Sequence, residues 1–551
     1  MEMVMAKMGR WAGVVSAVLA GPAWGSSVGM PTPVITTTSG PIQGFEQGGI
    51  NYFLGVPYAA PPVGSLRWVA PTPPTKWTMT MQTVAFGNFC PQGESQLSPG
   101  GGSEDCLYLN VEGPTAATPG SKLPVMVWIH GGGLTTGSGQ EYNGTNLIQS
   151  GNVVFVSLNY RLGLLGFLAH PALAAEDTAH HSSGNYGMLD QQAALAWVRA
   201  NIANFGGDPN NLTIFGESAG GQSVITQLYS PLTGKLKAAV IESGAYARSY
   251  PTQAQAQTDG SAVASSLGCT SETDAACLRA LSVAALVAAG GSETSSSTVQ
   301  IVPNVDDWML TEQPFQAFAA GNFQHIPIID GTNHDEYRLF VSLNDLENAL
   351  AGHPGGYTPA EYVSLVQGLA GSYAPEVLAE YPLSQYASPN YAVAAVATDY
   401  AFSCGALLLD ALMSQYTSVY AYEFNDINPP NIFLPYDPYM PSIGDSHAIE
   451  LPYLFPTYRN ETLDLGPAVF TGPQLYLGAG MRAAWTSLAR YGRPLNPRGG
   501  YWGKYSIAAH AFASFLAPSN GTETNFYSYH KCGFWGPALL SEAGLTPNTQ
   551  Y

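Results

Sequence analysis

Gly216-Glu217-Ser218-Ala219-Gly220 spells G-x-S-x-G at the seam between a short apolar run and a helical stretch. A strand that reverses at once into a helix leaves almost no room for side chains beside the turn, and the two glycines meet that demand. The serine hydroxyl then stands clear of the sheet, its backbone at a helix N-terminus where developing negative charge is favoured. Such a hydroxyl can attack an acyl carbon. The attack creates a tetrahedral oxyanion, which needs N–H donors aimed at it beforehand. His130-Gly131-Gly132-Gly133 offers amides with no side chains in the way. Gly132 and Gly133 are the expected donors, with the Ala219 N–H, next after the serine, as the third. A phosphate-cradling loop is the rival reading of a glycine run, but no G-K-[ST] follows. His130 precedes the serine inside this loop and reads as structural.

A serine needs a base, and the base needs a carboxylate to hold its tautomer. On this topology the order along the chain is serine, acid, histidine. Of ten histidines, His353, His447, His510 and His530 lie beyond a plausible acid. The acid belongs in a loop just after a strand, and the sequence after Ile326–Asp330 (IPIID) is GTNHDE, offering Asp335 and Glu336. His447 lies in the loop Gly444-Asp445-Ser446-His447 after the run VYAYEF. Spacing alone separates His447 narrowly from the other histidines and leaves Asp335 and Glu336 equal. Tyr246 and Arg248 stand either within reach of the serine or in a surface loop.

Elements able to position these groups follow from periodicity. Pro124–Ile129, Val153–Leu158, Leu212–Phe215, Ala238–Ile241, Ile326–Ile329 and Val419–Phe424 are short apolar runs that read as buried strands. Met188–Phe205 has helical spacing and ends at Gly206-Gly207, and Ala219–Leu228 is helical. The alternation predicts an α/β fold, a mostly parallel sheet covered by helices on both faces. Segments 91–103 and 284–298, rich in Gly, Ser and Pro or Thr, read as loops. No internal repeat or long charge run interrupts residues 26–551, which read as one domain with large insertions.

Of 551 residues, 46% are hydrophobic and 11% charged, with a net charge of −20. That balance supports a large core and disfavours nucleic acid or an anionic membrane as partner. It leaves a neutral small molecule as the default substrate. Residues 1–25 read as a secretory signal: Lys7 and Arg10 are basic, Trp11–Leu19 is apolar, and Ala20, Gly21 and Ala23 are small. No later stretch reaches membrane-spanning length without charge or proline. Six cysteines in an exported chain suggest disulfides, and proximity favours Cys90–Cys106 and Cys269–Cys277, leaving Cys404–Cys532. None is spaced with a histidine as a zinc site. Asn143, Asn211, Asn460 and Asn520 each begin an N-x-[ST] sequon.

The chain resembles the type-B carboxylesterases, relatives of the cholinesterases and some fungal lipases. FGGDPNNLTIFGESAG at 205–220 looks like that family's serine signature and EDCLYLNV at 104–111 like its second. FLGVPYAAPPVGSLRW (53–68), LNYRLGLLGFLA (158–169) and GNYGMLDQQAALAWV (184–198) extend the similarity. It is dense from about residue 35 to 245 and thins to isolated motifs afterwards. The resemblance implies an α/β-hydrolase fold with Ser218 as nucleophile, Glu336 rather than Asp335 as acid, and His447 as base. It implies the same three disulfides, and supporting roles for Glu217 and for Ser243 in Glu242-Ser243-Gly244. Tyr337 stands where the family commonly has glycine.

Departures from the pattern bear on specificity. The loop PQGESQLSPGGGSED between Cys90 and Cys106 has no aromatic residue. Cholinesterases place a tryptophan there to hold a quaternary ammonium, so choline esters are disfavoured. The loop is also shorter and more polar than the flap of the family's lipases, which argues against long-chain fats. The expected activity is hydrolysis of neutral small to medium esters through an acyl-enzyme, with no metal or organic cofactor needed. A lipase, an amidase or lactonase, and a non-catalytic binding module are the alternatives. The last typically lacks the serine or the histidine, and both are here.

Overall fold

Leu123–Ile129 is buried along its whole length, yet its side chains divide between two cores. Val125, Val127 and Ile129 join one apolar cluster, Met126 and Trp128 another. Successive strand residues point to opposite faces, so a run that is apolar at every position belongs to a sheet covered on both sides.

The computed structural model describes residues 29–290, 301–460, 462–463, 465–495, 502–518, 520–546 and 549. The expected signal, residues 1–25, lies outside them. Twelve strands form one sheet: β1 (Met30–Pro31), β2 (Phe45–Gln47), β3 (Ile50–Pro57), β4 (Tyr108–Pro114), β5 (Leu123–Ile129), β6 (Val154–Leu158), β7 (Gly207–Glu217), β8 (Ala238–Glu242), β9 (Ile328–Asn333), β10 (Val419–Phe424), β11 (Phe512–Phe515) and β12 (Gly521–Glu523). Their order is β1-β2-β3-β4-β6-β5-β7-β8-β9-β10-β11-β12. Every pair from β6 to β11 is parallel, and the pairs outside that block are antiparallel. The chain runs from β5 outward to β6 and then returns to the other side of β5 as β7. That reversal opens a crevice at the carboxyl ends of β5 and β7, where such sheets hold their ligands.

Helices cover both faces. Among them are α1 (Tyr186–Asn201), α2 (Ala219–Tyr229), α3 (Arg338–Leu350), α4 (Pro389–Ala397), α5 (Cys404–Ser414), α6 (Gly472–Tyr491) and α7 (Cys532–Glu542). α1, α2 and α5 pack into the cluster that holds Val125, while α3 and α6 pack into the one that holds Trp128. A π-helical turn, Thr398–Ser403, joins α4 to α5. The combined run Pro389–Ser414 has 26 residues and a mean hydropathy of 1.6 at its most apolar, enough to cross a bilayer. Yet 72% of that stretch is buried inside the protein, as in a core helix.

Three expectations need correction. Residues 91–103 are not a bare loop: Gln92–Ser95 and Ser98–Gly101 pair as an antiparallel hairpin, with Gly100 and Gly101 at positive φ. Segment 284–298 starts within a helix, Val283–Ala289, because Ser282 caps it by accepting the Ala285 N–H at 3.1 Å. Residues 291–298 of that segment lie outside the described residues. The predicted helix over 188–205 stops at Asn201, continues as a tighter turn Ile202–Phe205, and ends at Gly206 with φ +86°. The cysteines form Cys90–Cys106, Cys269–Cys277 and Cys404–Cys532 disulfides.

Candidate active site

Ser218 sits between β7 and α2 at φ +57°, ψ −123°. A side chain held there costs about 1–3 kcal/mol, which the surroundings must over-determine. They do so through backbone: the Ser218 N–H donates to Glu242 O at 2.9 Å, and the Gln222 N–H returns to Ser218 O at 2.8 Å. The flanking glycines are forced by contact. A Cβ on Gly220 would lie 2.0 Å from Ile129 O, and one on Gly216 2.5 Å from the same oxygen.

The glycine loop after β5 presses against this turn. A Cβ on Gly131 would stand 2.8 Å from Glu217 O and 3.2 Å from the Ser218 Cβ. Gly132 and Gly133 take φ +93° and +56°. Among the described residues, the amides of Gly132, Gly133 and Ala219 donate to no other protein group. Gly132 lines the cavity in front of Ser218; Gly133 is exposed and lies outside its lining. His130 is buried, stacks on Tyr160 with centroids 4.4 Å apart, and turns Nδ1 to Gly131 O at 2.8 Å. Burial lowers its pKa to about 4, so it holds the loop as a neutral ring.

Glu336 and His447 meet across 111 residues, with His447 Nδ1 2.5 Å from Glu336 Oε2. The loops bearing them are also joined by backbone, His447 N–H to Glu336 O at 3.1 Å and Asp335 N–H to Asp445 O at 3.1 Å. The other Glu336 oxygen accepts from Thr332 Oγ1 at 2.7 Å and the Asn333 N–H at 2.8 Å. Asp335 instead pairs with Arg338 at 2.8 Å. Tyr337 enters α3 at φ −80°, ψ −3°, so no glycine is needed there. His447 Nε2 rests 3.1 Å from Glu217 Oε1. Burial alone would lower the His447 pKa, but the carboxylates of Glu217 and Glu336 outweigh it and push the ring up to about 9.

Gly131, Gly132, Glu217, Ser218 and His447 line one cavity of about 90 Å³. Its walls are mixed: Phe89, Leu97, Tyr142, Phe340 and Phe433 face polar groups that include Gln92, Glu141, Arg459 and Asn460. Ser243, expected to support the serine, directly follows β8 at φ +50°, buried, its N–H bonded to Gly331 O at 2.8 Å.

Residues 31–535 match the profile of the carboxylesterase family. The chain belongs to the carboxylesterase family. The enzyme is a carboxylic ester hydrolase, 35% identical over 489 residues to fumonisin B1 esterase of Sphingopyxis macrogoltabida, covering 86% of this chain and 85% of the relative. It is 36% identical over 480 residues to para-nitrobenzyl esterase of Bacillus subtilis, covering 84% and 91%. Among solved structures, the carboxylesterase EST55 of Geobacillus stearothermophilus superposes with a TM-score of 0.76 at 30% identity, covering 90% of this chain and 99% of the other.

Other residues of this carboxylesterase near His447 escaped the sequence reading. Phe340 and Phe402 flank its ring with centroids 5.0 Å away. Phe340 lies one helical turn after Glu336, a spacing that could have pointed to it; nothing local marks Phe402, carried by the π-helical turn. Phe89, just outside the Cys90–Cys106 loop, puts an aromatic ring in the cavity wall after all. Arg248 does not reach the cavity: it is paired with Glu542 at 2.7 Å and lies over Tyr400. Tyr246 packs on Phe402, one ring removed from His447.

Proposed function

We propose that this carboxylesterase works by a Ser218–His447–Glu336 triad through an acyl-enzyme. Ser218 Oγ attacks the ester carbonyl while His447 Nε2, exchanging its contact with Glu217 for the serine, takes the hydroxyl proton. The amides of Gly132, Gly133 and Ala219 hold the oxyanion. His447 returns the proton to the departing alcohol, and water repeats the sequence to release the acid. The reading is carried by the 2.5 Å Glu336–His447 contact in the wall of the cavity that Ser218 lines. Three unspent amides beside the serine support it further.

The substrates are neutral esters of small to medium size. The modest cavity, with its aromatic side chains, favours them, as does a net charge of −20 that opposes anionic ligands. Secretion is part of the same reading, supported by the basic-then-apolar start of the chain and three disulfides. Ser218→Ala should abolish hydrolysis of p-nitrophenyl acetate and labelling by a serine-directed organophosphate, with the circular dichroism unchanged. Wild-type turnover in that variant would refute the triad. Mature protein recovered from the medium, starting near residue 26, tests secretion.

A further inference from the structure

A second cavity, of about 490 Å³, opens beside the loop that carries Glu336; His334, Asp399, Tyr529 and His530 are among its lining. Two imidazoles turn onto one carboxylate oxygen there: His334 Nδ1 is 2.9 Å and His530 Nε2 2.7 Å from Glu423 Oε1. The three donor atoms lie within 4.8 Å of one another. The rings stand 5.4 Å apart at 66°, approaching the oxygen from different directions.

The surroundings have the form of a metal site's outer layer. His530 Nδ1 is 2.6 Å from Asp399 Oδ1, the carboxylate–imidazole pairing that fixes the tautomer of metal-bound histidines. Asn425 Nδ2 holds the second Glu423 oxygen at 3.1 Å and also reaches Glu523 Oε2 at 3.0 Å. Three carboxyl groups thus gather around two imidazoles. Among the described residues no lysine or arginine forms an ion pair with any of the three, and Lys531, in the cavity lining, acts on Asp399 from a distance. The donors are fixed by the fold: Glu423 lies on β10, the His334 N–H bonds to Phe424 O at 3.1 Å, and His530 precedes the disulfide-bonded Cys532 by two residues.

We propose that His334, Glu423 and His530 form a binding site for one divalent transition-metal ion, zinc foremost, with a fourth position open to the cavity. Two imidazoles and one carboxylate are borderline donors that suit zinc, whereas calcium and magnesium favour oxygen alone. Bonds of about 2.0–2.1 Å at tetrahedral angles space neighbouring ligand atoms by roughly 3.3 Å. Each ring would withdraw from Glu423 by about half an ångström to admit the ion; the His530 Nε2 proton would pass to solvent, and His334 would carry its proton on Nε2 instead of Nδ1. No ligand of this site lines the Ser218 cavity. The ion is therefore a tie between the acid loop, the sheet and the C-terminal helices, not a participant in ester cleavage.

The test uses the full chain, freed of metal by a chelator and titrated with Co²⁺ and then Zn²⁺ at pH 8. The wild type should bind one Co²⁺ with the visible absorption of tetrahedral cobalt, lose it to Zn²⁺, and melt about 3 °C higher at a hundredfold excess over Kd. His334→Ala should lose both the absorption and the shift. Protection of His334 by Zn²⁺ against diethyl pyrocarbonate, mapped by mass spectrometry on the wild type, gives the same answer without a variant. A wild type with no tetrahedral cobalt spectrum, cobalt bands that survive His334→Ala, or unprotected His334 would overturn the proposal.

Discussion

Glu336→Gln tests the proposed triad where its geometry is most specific. Glu336 is fully buried, and its two oxygens face opposite demands. One accepts the Asn333 N–H at 2.8 Å and the Thr332 hydroxyl at 2.7 Å; the other accepts from His447 Nδ1 at 2.5 Å. Glutamine has only one oxygen. The Thr332 hydroxyl can rotate, but the Asn333 N–H is a fixed donor and claims that oxygen. The new NH₂ then faces His447 and forces Nδ1 to be the acceptor. The proton moves to Nε2, the nitrogen that must receive the Ser218 proton, and the ring becomes useless as a base. Restoring the working tautomer means turning the amide over, which sets two buried donors against each other at about 1–3 kcal/mol each. At about 1.36 kcal/mol per decade, kcat should fall between roughly 30-fold and 10⁴-fold. Asp335→Asn, which loses only an Arg338 pair, should stay within about twofold. Initial rates on p-nitrophenyl butyrate, with melting temperatures as the check on folding, decide it. A Glu336→Gln enzyme above a third of wild-type kcat, or a collapse in Asp335→Asn instead, refutes the reasoning.

The His447 ring, with Glu217, Glu336 and Glu450 facing it, has a pKa raised to about 9; since only its neutral form can accept the serine proton, kcat/KM should climb with pH toward about 9. Glu217→Gln removes one of the charges that raise it, so the rise should move to lower pH in the measured profile. Asp330 and Asp410 are buried together, and burial lifts both well above the usual carboxyl range. Their protonated state favours folding fully below about pH 4 and progressively less as pH rises toward the folded values. Asp410→Asn should therefore raise the unfolding free energy from denaturant titration at pH 9 by about 1.4 kcal/mol or more, and leave it unchanged near pH 4. Gly220→Ala should cost about 3 kcal/mol and all esterase activity, because its Cβ meets Ile129 O, which cannot yield. Gly368→Ala, with nothing within 4 Å of its Cβ, should instead stabilise by about 0.4–1 kcal/mol in the same denaturation assay.

What could be read from the sequence was what the chain encodes locally. The turn at Ser218 and the loop at Gly131–Gly133 are each defined by neighbours a few residues away, and their glycines answer contacts that any such turn must make. The buried strands were legible because apolar runs of four to six residues admit few other fates. The partner of Glu336 was not legible from spacing, since 111 residues separate it from His447 and three other histidines fit the same order. Only the family resemblance chose between them. The hairpin in 91–103 was missed because glycine and serine mark turns and edge strands alike. The helix at Val283–Ala289 was missed because its cap, Ser282, lay two residues before the segment read as loop. Thr398–Ser403, which delivers both Phe402 and Asp399, carries no local mark of its geometry.

Four buried glutamates surround the proposed site, and their charges decide how the histidine can work. If Glu217, Glu242, Glu336 and Glu450 were all ionised, the oxyanion would form in a field strongly opposed to it. Burial, with neighbouring carboxylates adding to it, raises Glu450 to about 7 and Glu242 well above its ordinary range. Trp485 Nε1 donates to Glu242 at 2.9 Å and Asn333 Nδ2 to Glu450 at 2.5 Å, and such neutral donors satisfy an oxygen without demanding a charge. Burial thus disfavours charge on Glu242 and Glu450, while Glu217 and Glu336 are the two carboxylates in contact with His447. Those two bracket His447, one at each ring nitrogen. In the proposed reaction the ring gains a positive charge between two carboxylates as the serine proton moves, and the oxyanion forms toward the amides of Gly132, Gly133 and Ala219. The carboxylates act on the cation and the backbone dipoles on the anion. The turn at Ser218, φ +57°, carries a strain of about 1–3 kcal/mol and sets this residue in the lining of the same cavity as His447 and Gly132.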